Sequence, residues 1–117
     1  MSNVLEKIIN QKKIDLLAIK KKYTNDLLSE RIKQNESYIN FKNKITDNIK
    51  QNKISVIAEI KKASPSAGLI IKQYNPIAIA ENYILNGATC LSILTEEKFF
   101  LGHLQHITDV KNKFKIP

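Results

Sequence analysis

Two short apolar, β-branched runs constrain this chain more than anything else in it. Ile54-Ser55-Val56-Ile57-Ala58-Glu59-Ile60 and Thr89-Cys90-Leu91-Ser92-Ile93-Leu94-Thr95 both have the composition of buried strands. Helix punctuation lies between them. Asn75 stands at an N-cap position, Pro76 at the first helical position and Gly87 just past the end. Ile77, Ala80, Ile84 and Leu85 are expected to form the apolar face of that helix. A second helix is expected over residues 104–114, with Leu104, Ile107, Val110 and Phe114 on one face. The order strand, helix, strand, helix is α/β and makes the strands parallel neighbours. Lys115-Ile116-Pro117 falls where a third strand would begin. Parallel sheets are covered on both faces and have several strands. Two strands alone leave an open apolar edge. The sequence therefore reads as part of a larger α/β protein, or as a chain that assembles with others.

The segment before the first strand has a different character. Residues 1–52 contain neither Gly nor Pro and read as helix. Leu5, Ile8, Ile9, Leu16, Ile19 and Tyr23 fall on one arc at helical spacing, interrupted by Lys12. This predicts an amphipathic helix over residues 3–23 that needs a partner surface. A second helix, or a pair, is expected through Leu27–Lys33 and Ser37–Gln51. Tyr38, Phe41, Ile45 and Ile49 are its apolar positions. The expected organisation is a helical extension over 1–52 and an α/β unit over 53–117. Nothing in the extension points to chemistry; its stripes read as packing surface.

Composition removes several function classes. No apolar run approaches the ~18 residues of a membrane helix. The N-terminus lacks the charged and apolar regions of a secretory signal, so a cytoplasmic location is expected. Cys90 is the single cysteine, which excludes a disulfide framework or a cysteine-rich zinc site. The chain carries 19 Lys+Arg against 11 Asp+Glu, a net charge of +8. All of the basic residues but Arg31 are Lys, and they are spread along the chain. Base readout and bidentate phosphate clamps favour Arg in a patch. The charge therefore reads as a solvated surface, and no nucleic-acid partner is expected.

The residues with chemical potential cluster at the strand ends. Strand side chains alternate between faces. Val56, Ala58 and Ile60 share the face expected to meet the helices. Ile57, Glu59 and Lys61 share the other, which turns from apolar to charged at the strand's C-terminal end. That end is where α/β sheets and barrels bind ligands. Lys61 suits an anionic group; Glu59 suits proton transfer or a cationic intermediate. A structural ion pair at a sheet rim is the bland alternative. The Ser64-Pro65-Ser66 loop offers hydroxyls and N–H groups to an anion, or is an ordinary turn. On the second strand Ser92 and Leu94 share one face, Leu91 and Ile93 the other. Thr95, Glu96, Phe99 and Phe100 follow. The paired Phe either wall a flat ring or simply pack. His103, His106 and Asp109 have a helical spacing that a metal face would use, but no further strong ligand is evident, and no metal is assigned. Cys90 reads as a buried core residue. There is no Gly-rich nucleotide loop.

The strings VIAEIKKASPSAGLI and YNPIAIAENYILNGATCLSILTEEKFFLG resemble indole-3-glycerol-phosphate synthase of tryptophan biosynthesis. The N-terminal VLEKIINQKKIDLLAIKKKY looks like the helical extension that precedes the first barrel strand in that family. The resemblance implies an incomplete (β/α)8 TIM barrel: an N-terminal helical extension plus the first two βα units. It implies ring closure of 1-(2-carboxyphenylamino)-1-deoxyribulose 5-phosphate to indole-3-glycerol phosphate, with loss of CO₂ and water. The substrate is a phosphorylated small molecule, and no cofactor or metal is expected. By the family pattern Glu59 is the catalytic glutamate of the first strand. Lys61 is the lysine that contacts the substrate's anionic groups and supports catalysis. Ser64 lies in the substrate-binding loop, and Ser92, Leu94 and Phe100 line the pocket for the aromatic ring. The connection from Lys62 to Asn75 is expected to be a mobile loop over the mouth.

Two departures from the family pattern stand out. His103 occupies a position where the family usually has a Ser that caps the next helix. Imidazole is a poorer cap, so a weaker helix start is expected. A full barrel needs eight strands and about 250 residues. The family's general-acid lysine, on the third strand, and its second glutamate lie beyond this stretch, so the chain alone is expected to be inactive. The alternative is a non-catalytic partial-barrel module that binds phosphate or self-associates through exposed strand edges. Fusion to another tryptophan-pathway domain would also be compatible. The isomerase of the preceding pathway step, another phosphate-binding barrel, is disfavoured by the Ser-Pro-Ser loop after Glu-x-Lys.

Overall fold

The structure is a computed structural model that describes residues 3–35 and 37–117. The chain divides into two compact units, Met1–Tyr38 and Ile39–Pro117.

The first unit holds two helices. In α1 (Val4–Lys22) Asn3 caps the start: its Oδ1 accepts the Glu6 N–H at 2.8 Å. Glu6 in the first turn and Lys20, Lys21 and Lys22 in the last complement the helix dipole. In α2 (Asn25–Gln34) the cap is Thr24, whose Oγ1 accepts from Leu27 N at 3.3 Å. The Tyr23 ring at the junction is flanked by Lys22 and Arg31, 5.3 and 5.2 Å from its centroid. Among the described residues of α1 and α2 none is buried. The amphipathic stripe of α1 is present, but most of it is open.

In the second unit, α3 (Phe41–Lys50) leads to β1 (Ile57–Ile60), a short hairpin of β2 (Ala63–Ser64) and β3 (Gly68–Leu69), α4 (Pro76–Leu85), β4 (Cys90–Ile93) and α5 (Gln105–Lys113). The strands β1 and β4 are parallel, with Ile57 opposite Cys90 and Glu59 opposite Ser92. Both are shorter than the runs that predict them. The chain does not pair out to Ile54, which is 88% exposed. Hydrogen bonds nevertheless continue past the strand ends, from Thr89 N to Val56 O at 2.9 Å and from Leu94 N to Ile60 O at 3.1 Å. On the far side of β4, Leu91 N donates to Pro117 O at 2.9 Å, and Ile116 is buried. The terminal residues thus run beside β4, where a third strand is expected to begin.

The core lies on one face of this sheet. Ile60, Ala80 and Val110 form its centre, with Tyr74, Ile79, Leu91, Ile93 and Phe114 packed against it. Asn75 and Pro76 act as expected: Asn75 Oδ1 accepts from Ala78 N at 3.1 Å. Gly87 closes α4 at φ 93°, a left-handed conformation that favours glycine. The expected apolar faces need correction. Leu85 is 79% exposed and Leu104 67% exposed, and Ile79 packs on the core instead. A short helix on a two-stranded sheet covers too little surface to bury its whole stripe.

Beneath the strands, Asn48 of α3 ties their starts together. Its Nδ2 donates to Ser55 Oγ at 3.1 Å and to Thr89 Oγ1 at 3.2 Å, and Thr89 Oγ1 also accepts from Val56 N at 3.0 Å. No described helix is long and apolar enough to cross a membrane. Asn48→Ala removes both donated bonds and is expected to cost about 1–2 kcal/mol, read from urea unfolding by circular dichroism. An unchanged midpoint would contradict the role of Asn48 as the tie.

Candidate active site at the C-terminal strand ends

Burial of Ile60 on the helix side sends its neighbours Glu59 and Lys61 to the opposite face. Leu91 and Ile93 likewise pack toward the helices, which sets Ser92 and Leu94 on the same face as Glu59. Four of the expected site residues therefore share one surface, and Glu59 and Ser92 are direct neighbours across the ladder. Lys61 Nζ lies 2.5 Å from Glu59 Oε1, with the two side chains 32% and 46% exposed. An ion pair this open contributes only about 0–1 kcal/mol to stability. Stability alone is a weak reason to hold two charges there. From the other edge of β1, Tyr83 donates its hydroxyl to the Glu59 carbonyl at 3.1 Å.

The segment after Lys61 is more ordered than a plain loop. Ala63–Ser64 pairs antiparallel with Gly68–Leu69, and Ile70 N donates to Lys62 O at 2.9 Å. Gly68, the first residue of β3 after the turn, takes φ 65°, a left-handed conformation that favours glycine. Ser64 Oγ accepts from Ala67 N at 3.1 Å and lies 3.4 Å from Ser66 Oγ. Ser64 thus ends β2, and its hydroxyl braces the hairpin turn.

The stretch after β4 is a tight turn. Glu96 accepts at Oε1 from Lys98 N at 3.0 Å and at Oε2 from Phe99 N and Phe100 N at 2.7 and 3.1 Å. Its carbonyl takes Gly102 N at 2.8 Å. Gly102 is buried, and a Cβ there would collide with the Leu94 carbonyl. Phe100 is half-buried in this turn. The sequence gives Glu96 no role of its own; an acid at the start of a turn, able to accept from the N–H groups that follow, is the signal it carries.

His103 stands just before α5. Its Nδ1 accepts from Gln105 N at 3.0 Å, so imidazole supplies a bond to the first turn of α5 from just outside the helix. The helix itself begins at Gln105, and Leu104 at the cap position makes no side-chain bond. His103 Nε2 faces Glu97 Oε1 at 3.5 Å, and Asp109 accepts from Gln105 Nε2 at 3.0 Å. His103, His106 and Asp109 do not converge, and no metal-holding group of three such residues occurs among the described residues. His106 instead meets Tyr74 edge-on at 5.4 Å, and burial raises the Tyr74 pKa.

A parallel strand pair with helices on one face is a building unit of α/β proteins, which place ligands at the C-terminal strand ends. Residues 5–117 match the profile of the family described as indole-3-glycerol phosphate synthase. Proteins of that name from Aliarcobacter butzleri and Alkaliphilus metalliredigens are 37% and 38% identical over 114 residues. One from Chlorobium chlorochromatii is 36% identical over 113 residues. Each match covers 97% of this chain but only 42–44% of the relative. The chain belongs to the indole-3-glycerol phosphate synthase family and spans less than half the length of these relatives.

Cys90 is fully buried, and burial pushes its thiol pKa up while the nearby Lys44 charge pulls it partly back. A raised folded pKa disfavours thiolate. Its stabilising effect is full below the ordinary thiol range and is lost as pH rises through the folded value. Iodoacetamide at pH 8 is expected to label Cys90 at least about 100-fold more slowly in the folded chain than in urea. Equal rates would contradict its placement in the core.

Proposed function

We propose that the chain is the N-terminal portion of an indole-3-glycerol phosphate synthase in tryptophan biosynthesis. The enzyme would be a carboxy-lyase that converts 1-(2-carboxyphenylamino)-1-deoxyribulose 5-phosphate to indole-3-glycerol phosphate. Residues 1–52 are its helical extension, and 53–117 the first two βα units of a TIM barrel. The observation that carries this reading is the Glu59–Lys61 pair beside Ser92, at the strand ends of a segment that matches the family.

In the reaction a bond forms between the ring carbon that bears the carboxylate and the substrate ketone carbon. The carboxylate leaves as CO₂, and the ketone oxygen leaves as water. Positive charge develops on the amino nitrogen as water departs. Glu59 is placed to stabilise that charge and to move a proton. Lys61 pairs with an anionic group of the substrate and is held by Glu59 when the site is empty. Ser64 belongs to the substrate-binding loop; Ser92, Leu94 and Phe100 contact the aromatic ring. No cofactor is assigned, and a cytoplasmic location fits a pathway of soluble intermediates. The general-acid lysine of the family pattern lies beyond these residues, so the chain by itself lacks a complete site.

The second reading, a non-catalytic module that pairs with other chains, is favoured only by the outer edge of β1, which Tyr83 covers at a single carbonyl.

The test joins residues 1–117 to the C-terminal remainder of the Aliarcobacter butzleri relative. This chimera is expected to turn over the substrate, and the 117-residue chain is not. Glu59→Gln in the chimera is expected to lower kcat by about 10²–10⁴-fold. A folded chimera without turnover, or unchanged kcat in Glu59→Gln, would overturn the proposal.

A further inference from the structure

The turn that follows β4 holds an unusual concentration of constraint. Three successive backbone N–H groups, from Lys98, Phe99 and Phe100, converge on the one carboxylate of Glu96. They belong to no helix or strand. Bonds to an ionised acceptor are shorter and stronger than neutral ones, and the 2.7 Å bond from Phe99 fits that class. Leu101, next in the chain, sits at φ 53°. That left-handed conformation is unfavourable for a residue with a Cβ, and strain of this kind collects at functional sites. Gly102 then returns under the Leu94 carbonyl, where no side chain fits, and closes the turn on Glu96 O. The strained residue is thus flanked by Glu96's contacts on both sides.

We propose that Glu96 is a positioning residue that fixes the Phe99-Phe100-Leu101 turn and so presents Phe100 to the aromatic end of the substrate. The functional half of this proposal rests on the reading above; the structural half does not. Glu96 touches no reacting atom. Its carboxylate replaces the missing helix ladder, so that Phe100 is held in place before substrate arrives. An aromatic wall fixed in advance loses less freedom on binding. Removing the pin therefore weakens binding in the ground and transition states alike, which raises KM and leaves kcat nearly unchanged.

Two variants separate charge from shape. Glu96→Gln keeps the length but replaces one accepting oxygen by an NH₂ that faces N–H donors. Glu96→Asp keeps the carboxylate, and an Asp there can accept from the N–H two residues on. In the chimera, amide hydrogen exchange by NMR is expected to quicken at Phe99 and Phe100 by about tenfold or more in Glu96→Gln, with Ile60 and Leu94 unchanged. Glu96→Asp is expected to retain protection at Lys98. In the chimera, Glu96→Gln is expected to raise KM about tenfold with kcat within about threefold, and Glu96→Asp to recover most of the loss. Unchanged exchange at Phe99 and Phe100 overturns the proposal. So does loosened exchange with unchanged KM, or equal damage by both variants. A wild-type chimera without turnover counts against the enzyme reading alone, because the exchange measurement still decides whether Glu96 holds the turn.

Discussion

The parallel pairing of β1 with β4, with Ile60 driven into the helix side, is the constraint on which the rest depends. Alternation along a strand leaves no freedom once one face is buried. Ile60 inward means Glu59 and Lys61 outward, and Leu91 and Ile93 inward means Ser92 and Leu94 outward. A one-residue slip would bury the charged pair and expose the core. The chemistry at the strand ends is therefore set by hydrophobic packing on the opposite face. Asn48 fixes the register from below by bonding Ser55 and Thr89, one residue at the start of each strand.

Much of this was legible because the signals are local and periodic. The strand runs, the Asn75-Pro76 helix start and the Gly87 stop follow from composition and from backbone preferences, and each is present. Counting by twos pairs Glu59 with Lys61 and Ser92 with Leu94 on their own strands; the register and the packed face put the two pairs on one surface. What the pattern does not encode is where a side chain meets backbone at a distance. The hairpin at Ser64 depends on Gly68 reaching φ 65° after a Ser-Pro-Ser turn that also reads as open loop. Imidazole as a weaker cap follows from residue type, but that Nδ1 reaches Gln105 N from outside the helix does not. Leu85 and Leu104 look like core by period, but the sheet is too narrow to cover them.

That narrowness has a physical meaning. The fully buried side chains of the described residues are few, with Ile60, Val110 and Cys90 the largest. Ile57, on the face that carries Glu59, is half exposed. An apolar strand residue beside a charged pair is stable in water only at a cost, unless further strands close over it. On the proposed reading the later strands of the barrel do so. They enclose Ile57 and bring the remaining acid–base groups to face Glu59.

The most direct measurement is where a substrate-like ligand sits. In the chimera, a stable analogue with the substrate ketone reduced to an alcohol is followed by NMR chemical-shift mapping. The account predicts joint shifts at Glu59, Lys61, Ser92, Leu94 and Phe100, with Ala80 and Val110 on the helix side unmoved. Shifts confined to the helix side, or none at Glu59 and Lys61 while the analogue binds, would contradict it.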